Sequence, residues 1–265
     1  MRRPGTKCTS DTSLPSSGPN LEEGSLLLDS QRQSTDCAEP ELVEVPKRLG
    51  GTRLMTYLSP ADDDDYRRVV SGVALQIESR LSAGVVANRV TDVRSLSLEP
   101  WRLARRRFRR QVGVRTRRGD RVVALTDVRA CYASIGVGAV QERLFALGCH
   151  PAEVGAVVSV LERFAEHGVA GLPVGPVPSA VLANAVLSVS DQALSAEGIP
   201  HVRWVDDVVV FPRDMRTAER ALERVAAALG RAGLELSESK TRVVEDPADA
   251  PSVLSRLAMS GAYLR

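Results

Sequence analysis

The chain is poor in the residues that build small stapled domains. Its 265 residues hold four cysteines and no CxxC pair, with two tryptophans, four tyrosines and four phenylalanines. Cys8, Cys37, Cys131 and Cys149 are too scattered for a zinc ribbon or a dense disulfide framework, so a reducing cytoplasm is the expected setting. A secretory leader is not expected, because Met1-Arg2-Arg3 runs into Pro4, Gly5 and polar residues instead of an apolar stretch. Residues 168 to 190 carry no charge and approach the length of a membrane span. Gly168, Gly171, Pro173, Gly175, Pro176 and Pro178 break the first half of that stretch, so it reads as a loop feeding a buried helix, with no membrane association. An excess of one charge is lacking as well: 35 Lys and Arg stand against 33 Asp and Glu. The total therefore says nothing about a nucleic-acid partner, and any such argument must come from where the charges sit.

What is present sorts into a polar arm and a globular remainder. Residues 1–46 contain no aromatic residue and are crowded with Ser, Thr, Pro and Gly, which predicts a flexible arm. From Ser59 the spacing of Tyr66, Val70, Val73, Ile77 and Leu81 predicts a helix over 62–82, with Asp62 to Asp65 as its solvated first turn. Between Trp101 and Arg121 there are ten arginines and one acidic residue. Ala104, Phe108 and Val112 recur every four residues and pin one face of that helix inward, so Arg105, Arg106, Arg109, Arg110, Arg117 and Arg118 spread over the remainder as a phosphate-binding stripe. Beyond it the pattern alternates. A strand at 121–127 is followed by helices near 138–147, 151–166 and 179–196, two short strands around Asp206-Asp207, a helix near 215–231 and a strand near 241–245. That order predicts a sheet with helices packed on one face.

Three carboxylates carry the chemistry. Asp127 closes an apolar strand, while Asp206 and Asp207 occupy a hairpin turn where Asn-Gly or Asp-Gly would be ordinary. Adjacent like charges repel, so something positive has to offset them, and two divalent cations fit hard oxygen ligands held at neighbouring strand ends. Such a pair of ions aligns attacking and leaving oxygens in phosphoryl transfer.

Taken in order, Asp127-Val-Arg-Ala-Cys-Tyr132, GLPVGPVPS with LAN, Trp204-Val-Asp206-Asp207, and Gly233-Leu-Glu-Leu with Lys240-Thr241 resemble the palm motifs of reverse transcriptases. Gly50-Gly51-Thr52-Arg53, Ser59-Pro60-Ala61-Asp62 and Ala87-Asn88-Arg89 look like the fingers of the bacterial group II intron and retron types, so the resemblance covers roughly 47–245. It implies an α+β right-hand polymerase fold: a flexible arm over 1–46, a fingers-like region with the basic helix over 47–126, and a palm over 127–265 with an antiparallel sheet. By the same resemblance Asp127 and Asp206 bind two magnesium ions, manganese being the alternative, with Asp207 beside them and the Val128 carbonyl as a further ligand. Tyr132 takes the steric-gate position that favours dNTPs, and Gly175 lies in the loop beside the incoming nucleotide. Arg53, with Lys47, falls where the triphosphate is held, and Lys240 where pyrophosphate departs. The implied partners are an RNA template, a DNA or RNA primer and dNTPs.

The pattern is broken at three places. Val174 replaces the usual Gln of the Gly/Pro loop, which resembles diversity-generating and defence-associated branches and puts fidelity in question. Trp204 replaces the usual Tyr of the hairpin. The sequence stops 25 residues after Lys240, too short for a thumb, so a companion protein or self-association is expected to replace one. The reading is a reverse transcriptase, with bacterial anti-phage defence implied by the branch resemblance only. Two alternatives stay open: a non-catalytic nucleic-acid-binding subunit of a ribonucleoprotein, and template-independent or protein-primed DNA synthesis. A two-metal nuclease would need another carboxylate or a histidine near Asp127, and His150, His167 and His201 lack that spacing.

Overall fold

The computed structural model of the chain describes residues 39–47, 51–117 and 122–245. Strand β1 (Glu41–Pro46) pairs antiparallel with β2 (Thr52–Tyr57), and helix α1 (Pro60–Arg80) follows. A small hairpin of β3 (Val90–Asp92) and β4 (Ser97–Leu98) leads into α2 (Trp101–Arg117). Then come β5 (Val123–Asp127), the short α3 (Cys131–Ser134), α4 (Val137–Ala146), α5 (Pro151–Glu166) and α6 (Val177–Ala196). Strands β6 (His201–Trp204) and β7 (Asp207–Val210), helix α7 (Met215–Gly230) and strand β8 (Arg242–Val244) complete the order.

Four of these strands form one antiparallel sheet in the order β6-β7-β5-β8. Successive side chains on a strand point to opposite faces, and here both faces are apolar. Ala124, Val208 and Val210 join the cluster that includes α6 and α7, while Val123, Leu125, Val202, Trp204 and Val209 pack with Ala104, Phe108 and Val112 of α2. The basic helix, expected with the fingers-like region, therefore sits on the sheet itself, and helices cover both faces where one was expected. The reason is local: the apolar stripe of α2 needs a partner, and the Phe108 ring meets Trp204 edge-on at 5.7 Å.

Two other expectations change. Glu41–Pro46, read as the end of the arm, is a strand whose partner β2 fixes its register from Glu41↔Tyr57 to Pro46↔Thr52. Residues 1–38 lie outside the described residues. The aspartates at the start of α1 are not all solvated: Asp62 is 3% exposed. Its carboxylate accepts hydrogen bonds from Ser59 at 2.7 Å and Arg163 of α5 at 3.1 Å, while Asp65 takes the same arginine at 3.2 Å. The acidic turn is thus a clamp between α1 and α5, and Asp64 is the one of the four that stands exposed. The Gly/Pro loop does feed a buried helix, since α6 buries fourteen of its twenty residues. Among the described residues no helix is long and apolar enough to cross a membrane.

Candidate active site

The central strand β5 ends on Asp127, and β7 begins on Asp207 directly across from it. Counting by twos along each strand, both carboxylates share the face of Leu125 and Val209, which is the α2 side of the sheet. Asp206 stands in the two-residue turn between β6 and β7, closed by the Trp204↔Asp207 pair. Val205, the first turn residue, has φ 55°, in the left-handed region that hairpins of this kind usually give to glycine. One carboxylate oxygen from each of Asp127, Asp206 and Asp207 lies within 4.8 Å of the others. Asp127 and Asp207 are 3% and 1% exposed, so their charges have little water to disperse them.

Burial and the neighbouring Asp127 charge push the Asp206 carboxyl up to about 6, against the pull of a backbone hydrogen bond, Lys240 and Arg53. Lys240 donates to Asp127 Oδ2 at 2.8 Å. Burial lowers the ammonium's pKa, but that hydrogen bond and the charges of Asp127, Asp206 and Asp207 outweigh it and leave Lys240 raised. It is held there by a short 3-10 turn, Glu238–Lys240, whose next residue shares a hydroxyl hydrogen bond with Thr126 at 2.8 Å. Three hard carboxylates with a net negative balance fit divalent cations such as magnesium. Val128 follows Asp127 directly and bridges Leu236. The hydrogen bonds flanking its bridge to Leu236 are made by Ser237 to the Asp127 carbonyl and by Arg129 to the Glu235 carbonyl, so Val128's own carbonyl is directed away from that pairing.

A group with a raised folded pKa binds its proton more tightly in the native state, so the stability it confers is full below its unfolded pKa and is lost as pH rises through the folded value. In metal-free protein, Asp206 should therefore contribute a loss of stability between about pH 4 and pH 6. An Asp206→Asn variant is expected to melt above wild type at pH 7 and to lose that advantage below pH 4. Paired melting curves in chelator across this range check the sign.

Tyr132 projects from α3, which opens on Ala130 in the left-handed region with φ 45°. Burial, then the charges of Cys131 and Asp206, raise its phenol, and Arg53 opposes them, so Asp206, Tyr132 and Arg53 lie within electrostatic reach of one another. The Gly/Pro loop joins these parts. Leu172 donates its amide to the Tyr132 carbonyl at 2.8 Å, and Thr56 of β2 donates to the Val174 carbonyl at 2.8 Å. Gly175, with φ 127°, approaches Met55 of β2, where an added Cβ would meet the methionine methyl at 3.2 Å. The expected residues Asp127, Val128, Asp206, Asp207, Lys240, Tyr132 and Arg53 thus lie in one region, and Gly175 lies on the loop that ties β2 to the turn carrying Tyr132.

The arginines divide. Arg106, Arg109 and Arg110 are exposed, and Arg105 is half-buried with its guanidinium pKa lowered by burial and by Arg109. Arg107 is structural, donating to Glu99 and to the Val86 carbonyl. Arg117 ends α2, and Arg118 lies outside the described residues. Cys131 is buried, which pushes its thiol up and leaves it a packing residue.

Sequence reasoning passed over one cluster beneath the hairpin. Arg203 of β6 is fully buried and pairs with Asp191 of α6 at 2.8 Å, while Asn184 accepts from the same guanidinium at 2.9 Å. His201 Nε2 lies 3.4 Å from Asp191. Burial would raise the Asp191 carboxyl, but Arg203 and His201 hold it below the usual range. The available signal was Asn184 and Asp191 two turns apart on a helix that carries no other charge, facing an arginine in a strand whose last three residues are buried.

A family model described as reverse transcriptase (RNA-dependent DNA polymerase) matches residues 60–253. No curated protein matches the chain by sequence. Among solved structures, apo telomerase from Candida tropicalis is similar at TM-score 0.53 and 12% identity, over 83% of this chain and 46% of that one. The form of that enzyme truncated from its C-terminal domain gives TM-score 0.50 at 14% identity, over 78% and 50%. Telomerase from Candida albicans with a TWJ fragment of telomeric RNA gives 0.52 at 12%, over 78% and 42%. This chain spans half or less of those proteins, and at such identities the likeness is one of fold.

Proposed function

Because the chain belongs to the reverse transcriptase (RNA-dependent DNA polymerase) family, we propose that it copies RNA into DNA at the Asp127, Asp206 and Asp207 cluster. The observation that carries this is the convergence of the three carboxylate oxygens within 4.8 Å, at the ends of paired strands. Asp127, Asp206 and Asp207 would hold the two magnesium ions, manganese being the alternative, with the Val128 carbonyl as a further ligand. When bound, the ions would lower the barrier by neutralising charge on the attacking and leaving oxygens. A primer 3′ oxygen attacks the α-phosphorus of a dNTP, and the bond to the pyrophosphate oxygen breaks. Lys240, 2.8 Å from Asp127, would exchange that carboxylate for the departing pyrophosphate. Arg53 meets the triphosphate, and the Tyr132 ring lies under the sugar, where a ribose hydroxyl would clash.

Helix α2 packs by its apolar stripe on the sheet face of the carboxylates and leaves Arg106, Arg109 and Arg110 exposed, which supports a template or primer path along Arg105, Arg106, Arg109 and Arg110; Arg117 and Arg118 extend the same basic run in sequence. Replacing Arg106, Arg109 and Arg110 by glutamine is expected to lower the slope of log affinity against log salt by about 2 to 3 on primed RNA, since each phosphate contact releases roughly 0.9 counterion. A titration between low and moderate salt reads the slope, and an unchanged slope removes these residues from the path. Val174 in place of an amide side chain supports a place among the diversity-generating or defence-associated bacterial branches, in a reducing cytoplasm where Cys131 and Cys149 remain free. A companion protein or a second copy is proposed as a partner that helps grip the duplex.

The deciding experiment is dNTP incorporation with magnesium on a primed RNA template, read by product sequence. Template-directed DNA supports the reading. DNA that ignores the template points to template-independent or protein-primed synthesis, and tight binding without incorporation points to the non-catalytic subunit.

A further inference from the structure

The Arg203 guanidinium ties helix α6 to the turn between β6 and β7. Its Nε donates to both oxygens of Asp191, at 3.1 and 2.9 Å, and Nη2 donates to Asp191 Oδ2 at 2.8 Å. Nη1 donates to Asn184 Oδ1 at 2.9 Å and to the carbonyl of Val205 at 2.8 Å. Val205 is the β-branched residue at φ 55° that opens the turn carrying Asp206. A valine does not hold that conformation unaided, because its Cβ crowds the backbone there. The other end of the network is equally fixed: Asn184 donates to the carbonyls of Ala87 at 3.0 Å and Asn88 at 3.1 Å, and the Arg203 amide donates to Gly84 at 2.8 Å.

We propose that Arg203 is a positioning residue for the metal-binding turn, holding the Val205 carbonyl so that Asp206 and Asp207 meet Asp127 at ligand distance. A buried ion pair is weak grounds for stability taken alone, since well-packed apolar residues often replace one without loss. What sets this pair apart is the third partner of its guanidinium, the backbone of the strained turn. Lysine in its place would keep the charge beside Asp191 but, as a point donor, could not span Asp191, Asn184 and Val205 together.

The kinetic arm of the test rests on the polymerase reading, whereas manganese binding to the full chain without nucleotide, followed by electron paramagnetic resonance, does not. Arg203→Lys is expected to weaken manganese binding about 10-fold, and to lower kcat by roughly 10- to 100-fold with the KM for dNTP nearly unchanged, as for other residues that orient metal ligands. Adding Val205→Gly to Arg203→Lys should recover most of the manganese affinity, because glycine adopts positive φ without being held. Wild-type manganese affinity in folded Arg203→Lys protein overturns the proposal, and so does a weakening that Val205→Gly leaves untouched. Should Arg203→Lys fail to fold, Asn184→Ala removes one anchor of the same guanidinium with the ion pair intact. A several-fold loss of manganese affinity is expected there, and none overturns the proposal. If wild type binds manganese but makes no DNA, the polymerase reading fails while the binding comparison still decides the role of Arg203.

Discussion

An Asp206→Asn, Asp207→Asn double variant is expected to incorporate dNTPs at least about 10⁴-fold more slowly than wild type, since two-metal stabilisation is worth several kcal/mol and each 1.36 kcal/mol is tenfold in rate. The same variant should melt higher than wild type in chelator, which is the unusual half of the expectation. Replacing buried polar side chains ordinarily destabilises. Here Asp207, 1% exposed, faces Asp127 across the ladder, Asp206 is pushed up to about 6, and Lys240 is bonded to Asp127. Asparagine keeps the shape and removes two of the repelling charges. Single-nucleotide extension on primed RNA and calorimetry without metal read the two effects separately. Extension at wild-type rate would mean that these carboxylates do not hold the reacting ions. A lower melting point would mean that like-charge repulsion is not what shapes the metal-free site.

The helices of this fold were legible wherever long periodic stretches ended on clear stop signals. The expected spans 151–166 and 179–196 meet α5 (Pro151–Glu166) and α6 (Val177–Ala196), the first bounded by Pro151 and Gly168, the second opened by Pro176 and Pro178 and followed by Gly198. The catalytic strands were legible because Val-rich runs surround carboxylates that an apolar sheet would not otherwise carry. Strand β1 was not, because Glu-Leu-Val-Glu-Val-Pro is short, sets its two glutamates three residues apart where a half-buried strand would alternate, and is stabilised by a partner that begins six residues after its end rather than by its own pattern. The seat of α2 was hidden for a related reason: Ala104, Phe108 and Val112 say that one face is buried but not against what. Asp62 was misread as solvated and Arg203 passed over for the same reason, since a charge in a sequence shows its burial only when its partner, Arg163 or Asp191, is brought in from a distant helix.

Gly171 offers the sharpest test of how the site is assembled. Its φ is 64°, and a Cβ there would lie 2.4 Å from the Tyr132 carbonyl oxygen, 2.6 Å from that of Ala133 and 2.7 Å from the Ala133 carbonyl carbon. All three atoms are backbone, so no side chain can swing aside. The loop cannot simply lift away either, because Leu172 is bonded to the Tyr132 carbonyl at 2.8 Å. Gly171→Ala is therefore expected to destabilise by roughly 2–4 kcal/mol, combining overpacking with a left-handed alanine. Gly168 supplies the control: its φ is 83°, yet nothing lies within 4 Å of its Cβ position, so Gly168→Ala should cost only about 1 kcal/mol, the backbone part alone. Denaturant unfolding of the two variants separates contact from conformation. The displaced loop should also carry Tyr132 away from Asp206 and loosen Thr56 from Val174, raising the KM for dNTP in Gly171→Ala and not in Gly168→Ala. Equal destabilisation in both would show that the two glycines serve only their turns, and that the Gly/Pro loop does not brace the catalytic turn against β2.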